Sequence, residues 1–350
     1  MSIRVLIADD SLTVRKRIAA ALEVKPEFQV VGEAVDGRQA VELCLKLRPD
    51  VITLDLAMPV MSGMEATMEL MARCPTPILI VSASTNRGEL FQTYQALAAG
   101  AVDVLDKSPG SMDSEWDGRL ASALRVAARV KVVTRFGRTH PALSLAAAAA
   151  MVPAPSGPAM RAVGIGASTG GPAAVLELLK GLPPGFPVPI LLVLHLATGF
   201  TAALADWLDQ ESPLRTAFVK GGEALPLPGQ ACVFLAPADH HLTIEGGILS
   251  LNQAPPRYSC RPSVDVLFES MALDLGAASA GCLLTGMGRD GAAGLLAMRQ
   301  AGASTVAQDE ASSVVYGMPG EAARLGAAGQ ILPLKDIAGA LAALAMGVPR

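Results

Sequence analysis

Two sets of polar side chains in this sequence stand where chemistry could be done. Asp9, Asp10, Asp55, Ser82 and Lys107 close or follow short apolar runs in the first third of the chain. Ser168 and His195 follow apolar runs further on, and Asp290 sits on a glycine-rich stretch after another. Three carboxylates gathered at one place repel one another unless a cation neutralises them, and hard oxygen donors suit Mg²⁺. A metal beside one carboxylate can stabilise phosphoryl transfer onto it, with a hydroxyl and an ammonium holding the phosphoryl oxygens. A single aspartate at such a point commonly does no more than cap a helix. The whole set, spread over several strand ends, points to a site.

The second set begins in the stretch Gly164 to Pro172, GIGASTGGP. Glycines there could cradle a phosphate, as in a dinucleotide fingerprint, or expose a serine as a nucleophile. The phosphate reading wants its third glycine one residue earlier and an acidic residue about 20 positions on. The next apolar run, PILLVLH, ends instead in His195. The nucleophile reading fits Gly166-Ala167-Ser168-Thr169-Gly170 to G-x-S-x-G, a tight strand-to-helix turn. Free N–H groups at the following helix start could hold an oxyanion. A serine hydroxyl needs a base and a group that orients the base. Of the four histidines, His140 lies in a low-complexity stretch and His240 and His241 follow Pro237-Ala238-Asp239, which reads as a polar turn. His195 alone ends a fully apolar strand. Asp290 is the carboxylate at the end of a third strand, on Thr285-Gly286-Met287-Gly288-Arg289-Asp290-Gly291. The glycines are expected to clear space for a substrate carbonyl beside Ser168.

These positions require parallel strands whose carboxyl ends share one edge. Strands are expected at Val5–Ala8, Phe28–Val31, Val51–Leu54, Ile78–Val81 and Ala101–Leu105. Between the first of them, Ser11 can cap a helix with apolar face Val14, Ile18, Ala21 and Leu22, and Pro49 stops a helix over Gly37–Arg48. Regular alternation resumes at Ala162 and runs almost to the end. Such βαβ order predicts doubly wound parallel sheets. The reading is α/β with two domains, residues 1–125 and 161–350, joined by a linker over 126–160 that contains AAAAAMVPAPSGPAM.

At 350 residues the chain is long for one core. Its hydrophobic share of 51% could indicate a membrane protein, but the alanine-rich uncharged stretch Leu143 to Val152 is closed by Pro153. That is well short of the roughly 20 residues that span a bilayer. The start, MSIRVLIADD, meets aspartates at once, so a cytoplasmic protein without membrane insertion is expected. A net charge of −4 gives no basic footprint for nucleic acid. Five scattered cysteines without a CxxC pair argue against a disulfide framework or a zinc site, and Cys44 falls on an apolar helix face.

IADDS, TLDLAMP, VSAS and the lysine of VLDKSPG resemble the motifs of response-regulator receiver domains, over about residues 3 to 125. The resemblance implies a flavodoxin-like fold, Asp55 as phosphoacceptor, and Mg²⁺ held by Asp10, Asp55 and the Ala57 carbonyl with help from Asp9. Ser82 and Lys107 would sense the phosphoryl group, and a histidine kinase would supply it. Two positions depart from the pattern: Ser108 separates Lys107 from Pro109, and Val104 stands where the family keeps an aromatic switch residue. Residues 162 to 347 resemble the catalytic domain of chemotaxis protein-glutamate methylesterases, through GIGASTGGP, the histidine of VLHLATGFT, RPSVDVLF, LLTGMGRDGAAGLLAMRQAGA and AQDEASSVVYGMPGEA. Leu194 stands where glutamine is common.

That second resemblance implies a Rossmann-like methylesterase domain with Ser168 as nucleophile, His195 as base and Asp290 as its orienting partner. The N–H groups of Thr169 and Met287 would form the oxyanion hole. The implied reaction is hydrolysis of glutamate γ-methyl esters, and of some glutamines, on chemoreceptors, without a cofactor for the hydrolysis itself. RYSCRPSVD could line a substrate groove, Arg261 meeting acidic receptor helices, or be a structural loop. Fusion of a phosphoacceptor to a hydrolase implies that phosphorylation relieves a block on the Ser168 edge. The alternatives are a regulator whose second domain only binds, and an esterase of another sensory pathway.

Overall fold

The computed structural model describes residues 2–83, 86–108, 110, 112–130, 159–196 and 198–347. Most of the stretch read as a linker, 131–158, lies outside the described residues, as does Pro109. The chain divides into two compact units, one centred on an N-terminal sheet and one on a C-terminal sheet.

In the first unit, β1 (Ile3–Ala8), β2 (Phe28–Ala34), β3 (Val51–Leu54), β4 (Ile78–Ser82) and β5 (Asp103–Asp106) alternate with helices. The helices are α1 (Leu12–Glu23), α2 (Gly37–Leu47), α3 (Gly63–Arg73), α4 (Arg87–Ala98) and α5 (Ser114–Ala127). All strand pairs are parallel, in the order β2-β1-β3-β4-β5. Helices on both faces explain why β3 and β4 are buried at every residue. Ser11 accepts the Val14 N–H and so caps α1, while α2 ends at Arg48 in a left-handed turn just before Pro49. The last strand begins at Asp103 rather than Ala101, because Ala101 N–H turns back to the Ala96 carbonyl and closes α4. Cys44 is wholly buried, and all five cysteines are free thiols. The strand order reverses between β1 and β3, which opens a crevice beyond their carboxyl ends. Asp9 and Asp55 follow those two strands.

The second unit contains β6 (Ala162–Ala167), β7 (Ile190–Leu194), β8 (Thr216–Phe218), β9 (Glu223–Ala224) and β10 (Val233–Leu235). It continues with β11 (His241–Glu245), β12 (Ile248–Asn252), β13 (Ser279–Leu283), β14 (Ser304–Gln308) and β15 (Gln330–Leu332). Its helices are α6 (Gly171–Gly181), α7 (Leu204–Glu211), α8 (Val264–Asp274), α9 (Ala292–Gln300), α10 (Met318–Arg324) and α11 (Leu334–Ala345). Seven strands form a parallel sheet in the order β15-β14-β13-β6-β7-β10-β8, which reverses between β6 and β13. The expected unbroken alternation is interrupted. Strands β11, β12 and β9 form a separate antiparallel sheet, whose hairpin turns at Gly246 and Gly247. It belongs to the same core: Leu242, Ile244 and Leu249 bury one face with Leu267 and Phe268 of α8.

The glycines of GIGASTGGP divide their work differently from the expectation. A Cβ on Gly166 would lie 2.3 Å from Val264 Cγ1, and one on Gly164 would lie 2.6 Å from Met271 Sδ. These strand glycines let α8 lie against β6, and burying residues such as Val264, Phe268 and Met271 contributes about 1.5–3 kcal/mol each. Only Gly170, at φ 74°, serves the turn through its backbone, where a side chain would be strained. The close approach of α8 has a functional consequence. It brings the start of that helix to the sheet edge where Ser168 and Asp290 emerge. Among the described residues no helix is long and apolar enough to cross a membrane.

Candidate active site

The first polar cluster occupies the crevice between β1 and β3. Asp9 and Asp55 are buried, and Lys107 Nζ reaches both, at 2.6 Å from Asp9 Oδ2 and 2.9 Å from Asp55 Oδ2. Asp9 Oδ1 accepts the Ser11 N–H at 2.9 Å, and Asp55 Oδ1 accepts the Leu56 N–H at 2.8 Å. Burial pushes the Asp55 carboxyl above its ordinary range, although Lys107 opposes the shift. Burial alone would lower the Lys107 pKa, but the Asp55 and Asp9 charges override it and raise it. Carboxylate oxygens of Asp9, Asp10 and Asp55 lie within 4.8 Å of one another, with Asp10 exposed. That is a hard, all-oxygen donor set of the kind a Mg²⁺ ion takes, and it fits the metal that the receiver motifs imply. Ala57 is exposed just beyond β3, Ser82 is buried at the end of β4, and Val104 is buried within β5. Ser108 bonds to Asp106, its amide at 2.8 Å and its hydroxyl at 2.6 Å from Oδ1.

The second cluster occupies the other reversal, beyond β6 and β13. Ser168 follows β6 directly and is half-buried. Its amide donates to the Thr285 carbonyl at 3.0 Å, and its own carbonyl accepts the Gly171 N–H at 2.6 Å, which winds the chain into α6. His195 follows β7 and is tied to the same edge by its amide, which donates to the Ala167 carbonyl at 3.0 Å. The loop after β13 is held by Thr285. Its amide donates to Gln308 Oε1 at 2.8 Å and its hydroxyl to the Thr169 carbonyl at 3.0 Å. That loop carries Met287 and Asp290.

His195 Nε2 lies 3.0 Å from Asp290 Oδ2. This is an ion-pair approach rather than an aligned hydrogen bond, since Nε2 has no acceptor at a bonding angle. The other ring nitrogen, Nδ1, faces Cys260 Sγ at 3.8 Å. Among the described residues, no hydrogen bond joins Ser168 Oγ to His195. Burial alone would lower the His195 pKa, but Asp290, followed by Cys260, raises it to about 9. Burial opposes ionisation of Asp290 too, but contacts from His195, Ser263 and Val264 hold its carboxyl below the ordinary range. The Met287 N–H has no protein acceptor among the described residues, and Thr169, next to Ser168, is buried. A serine hydroxyl and an imidazole backed by a carboxylate can together carry an acyl transfer.

Several residues of this site carried no individual role in the sequence reading: Cys260 and Ser263, which lie within RYSCRPSVD, and Thr285 and Gln308. The polar-turn reading holds for His240, whose Nδ1 bonds the Ala238 carbonyl at 3.1 Å, but not for His241, which is fully buried in β11. Arg261 is committed within the fold. It pairs with Asp239 Oδ1 at 2.5 Å and donates to the Gln253 and Ala254 carbonyls, which favours the structural-loop alternative.

Two parallel sheets, one with an acidic crevice and one with a serine–histidine–aspartate edge, define a hydrolase fused to a receiver. Comparison with protein families matches residues 163–341 to the CheB methylesterase family and residues 5–113 to the response regulator receiver domain. A protein-glutamate methylesterase/protein-glutamine glutaminase of Geobacter metallireducens is 42% identical, over 98% of this chain and 99% of its own length. One from Anaeromyxobacter dehalogenans is 43% identical, over 97% of this chain and 96% of its own. The crystal structure of the Thermotoga maritima CheB methylesterase catalytic domain matches with a TM-score of 0.50 and 34% identity, covering 53% of this chain and 99% of that one. The chain belongs to the CheB methylesterase family, and it is a carboxylic ester hydrolase that carries a response-regulator receiver domain.

Proposed function

We propose that this protein hydrolyses glutamate γ-methyl esters on methyl-accepting chemoreceptors, under control of phosphorylation at Asp55, and acts in the cytoplasm. Residues 1–125 serve as the receiver, 126–160 as the linker and 161–350 as the catalytic domain. The observation that carries the reading is the 3.0 Å approach of His195 to Asp290 on the sheet edge from which Ser168 emerges. Ser168 Oγ attacks the ester carbonyl, and its proton passes to the His195 nitrogen that does not face Asp290. Asp290 stabilises the resulting imidazolium, and the Thr169 and Met287 amides hold the oxyanion. Methanol departs with the proton from His195. Water, activated by the same ring, then releases the glutamate carboxylate. A glutamine side chain can follow the same route, with ammonia as the leaving group.

On the receiver, a histidine kinase supplies the phosphoryl group to Asp55. Asp9, Asp10, Asp55 and the Ala57 carbonyl would hold Mg²⁺, which neutralises charge on the transferring group. Ser82 and Lys107 would bind the phosphoryl oxygens, and the existing Lys107–Asp55 contact of 2.9 Å supports the second assignment. The test is methanol release from methylated receptor by the full chain, with and without a small-molecule phosphodonor. Wild-type turnover should rise on phosphorylation. Asp55→Asn should not respond, and Ser168→Ala should be inactive. Undiminished turnover by Ser168→Ala would defeat the reading.

A further inference from the structure

Asp290 is held by more than its histidine. Its Oδ1 accepts the Ser263 hydroxyl at 2.7 Å and the Asp265 N–H at 3.1 Å. Its Oδ2 accepts the Val264 N–H at 2.7 Å and faces His195. The carboxylate therefore sits on the first turn of α8, where backbone amides lack helical partners and the helix dipole favours an anion. A carboxylate offers about four lone-pair directions. Three are taken by donors fixed to one helix, which leaves one for the imidazole.

Ser263 is itself anchored. It is fully buried and caps α8, its Oγ accepting the Val266 N–H at 3.4 Å. Its own N–H donates to His241 Nδ1 at 3.1 Å. The other nitrogen of His241, Nε2, faces the Pro255 carbonyl at 3.3 Å. An amide can only donate and a carbonyl can only accept, so these partners specify a neutral ring with its proton on Nε2. His241 is wholly buried in β11, in the antiparallel sheet. No step of ester hydrolysis calls for a second histidine there.

We infer that Ser263 and His241 are positioning residues of the esterase: His241 fixes Ser263, Ser263 fixes Asp290, and the carboxylate so aimed sets the ring of His195. The inference rests on reading Ser168, His195 and Asp290 as the triad. The backbone donors of Val264 and Asp265 persist in any variant, so the Ser263 hydroxyl is the removable part of the clamp.

The test is steady-state hydrolysis of methylated receptor by the full-length chain, with thermal unfolding followed in parallel. Ser263→Ala should lower kcat by roughly 10- to 100-fold with KM within about twofold, the size expected for one hydrogen bond to a charged group. Ser263→Thr, which keeps both hydroxyl and cap, should restore most of the rate. His241→Phe should show a smaller fall in kcat, and His241→Asn, whose side-chain carbonyl can accept the Ser263 N–H, should recover it. If His241→Phe fails to fold, the Ser263 pair decides. A Ser263→Ala kcat within twofold of wild type, or equal deficits in Ser263→Ala and Ser263→Thr, overturns the inference while Ser168→Ala remains inactive. Activity in Ser168→Ala overturns it together with the triad reading.

Discussion

Gly286 lies against Ser168 so closely that a methyl group on it would stand 2.8 Å from Ser168 Cβ and 3.1 Å from the Ser168 amide nitrogen. The loop after β13 and the turn after β6 are thus packed backbone to backbone, joined by the Ser168-to-Thr285 hydrogen bond of 3.0 Å. Gly286→Ala should push the serine off its line of attack. A misplacement of about 1 Å can cost ~100-fold in rate. Methanol release should fall by that order while circular dichroism stays native. Wild-type turnover in the alanine variant would show that the two backbones have room to separate.

The pH dependence of hydrolysis should follow His195. Only the neutral ring can accept the Ser168 proton, and Asp290 and Cys260 raise its pKa to about 9. Turnover should therefore climb about tenfold per pH unit from neutrality and level off near that value. The stability effect has the opposite sense. A raised histidine pKa stabilises the fold fully below the unfolded value of about 6.5, and that contribution is lost as pH rises through the folded one. Asp290→Asn should lower kcat by ~10⁴-fold, as in comparable triads, and shift the remaining profile to lower pH. A pH–rate profile of both proteins checks this.

Lys107 pairs with two buried carboxylates at once, Asp9 at 2.6 Å and Asp55 at 2.9 Å. Lys107→Ala should cost about 3–5 kcal/mol in the first unit, since it strands buried charge. Mg²⁺ bound to the native site should restore part of that loss, because a ligand that binds only the folded form stabilises it. Thermal melts with and without Mg²⁺ should show a larger gain for Lys107→Ala than for wild type. Equal gains would mean that the cation does not share the Asp9–Asp55 site.

Asp265 is buried at the start of α8, with Oδ1 accepting the Gly294 N–H at 2.6 Å and Oδ2 unpartnered. Burial, aided by the nearby Asp290 charge, raises its pKa to about 6. An acid whose folded pKa exceeds its unfolded value binds more protons when folded, so stability falls as pH rises from about 4 to about 6. Asp265→Asn should flatten that part of the stability curve, by roughly 1–3 kcal/mol. Denaturant titrations at pH 4, 5, 6 and 7 compare the slopes.

Much of the fold could be read from local chemistry. The strand of Val51 to Leu54, the cap at Ser11 and the stop at Pro49 follow from apolar runs and from residues with one favoured backbone role. The antiparallel hairpin of β11 and β12 was missed because its strands break the regular alternation and its place is set by burial against α8. Gly164 and Gly166 were read as parts of a turn. Their task depends on Val264 and Met271, roughly 100 residues away in sequence, and no spacing rule reaches that far.

By itself the sequence determined which side chains could act and at which strand ends they would emerge, because strand period, caps and glycine turns are local properties. Only the tertiary structure decided what surrounds them. The neighbours of Asp290 come from the start of α8, those of Ser263 from β11, and Cys260 arrives beside the other nitrogen of His195. Those relations arise from packing a helix against a glycine-lined strand, and shape complementarity between distant segments has no local signature in the chain.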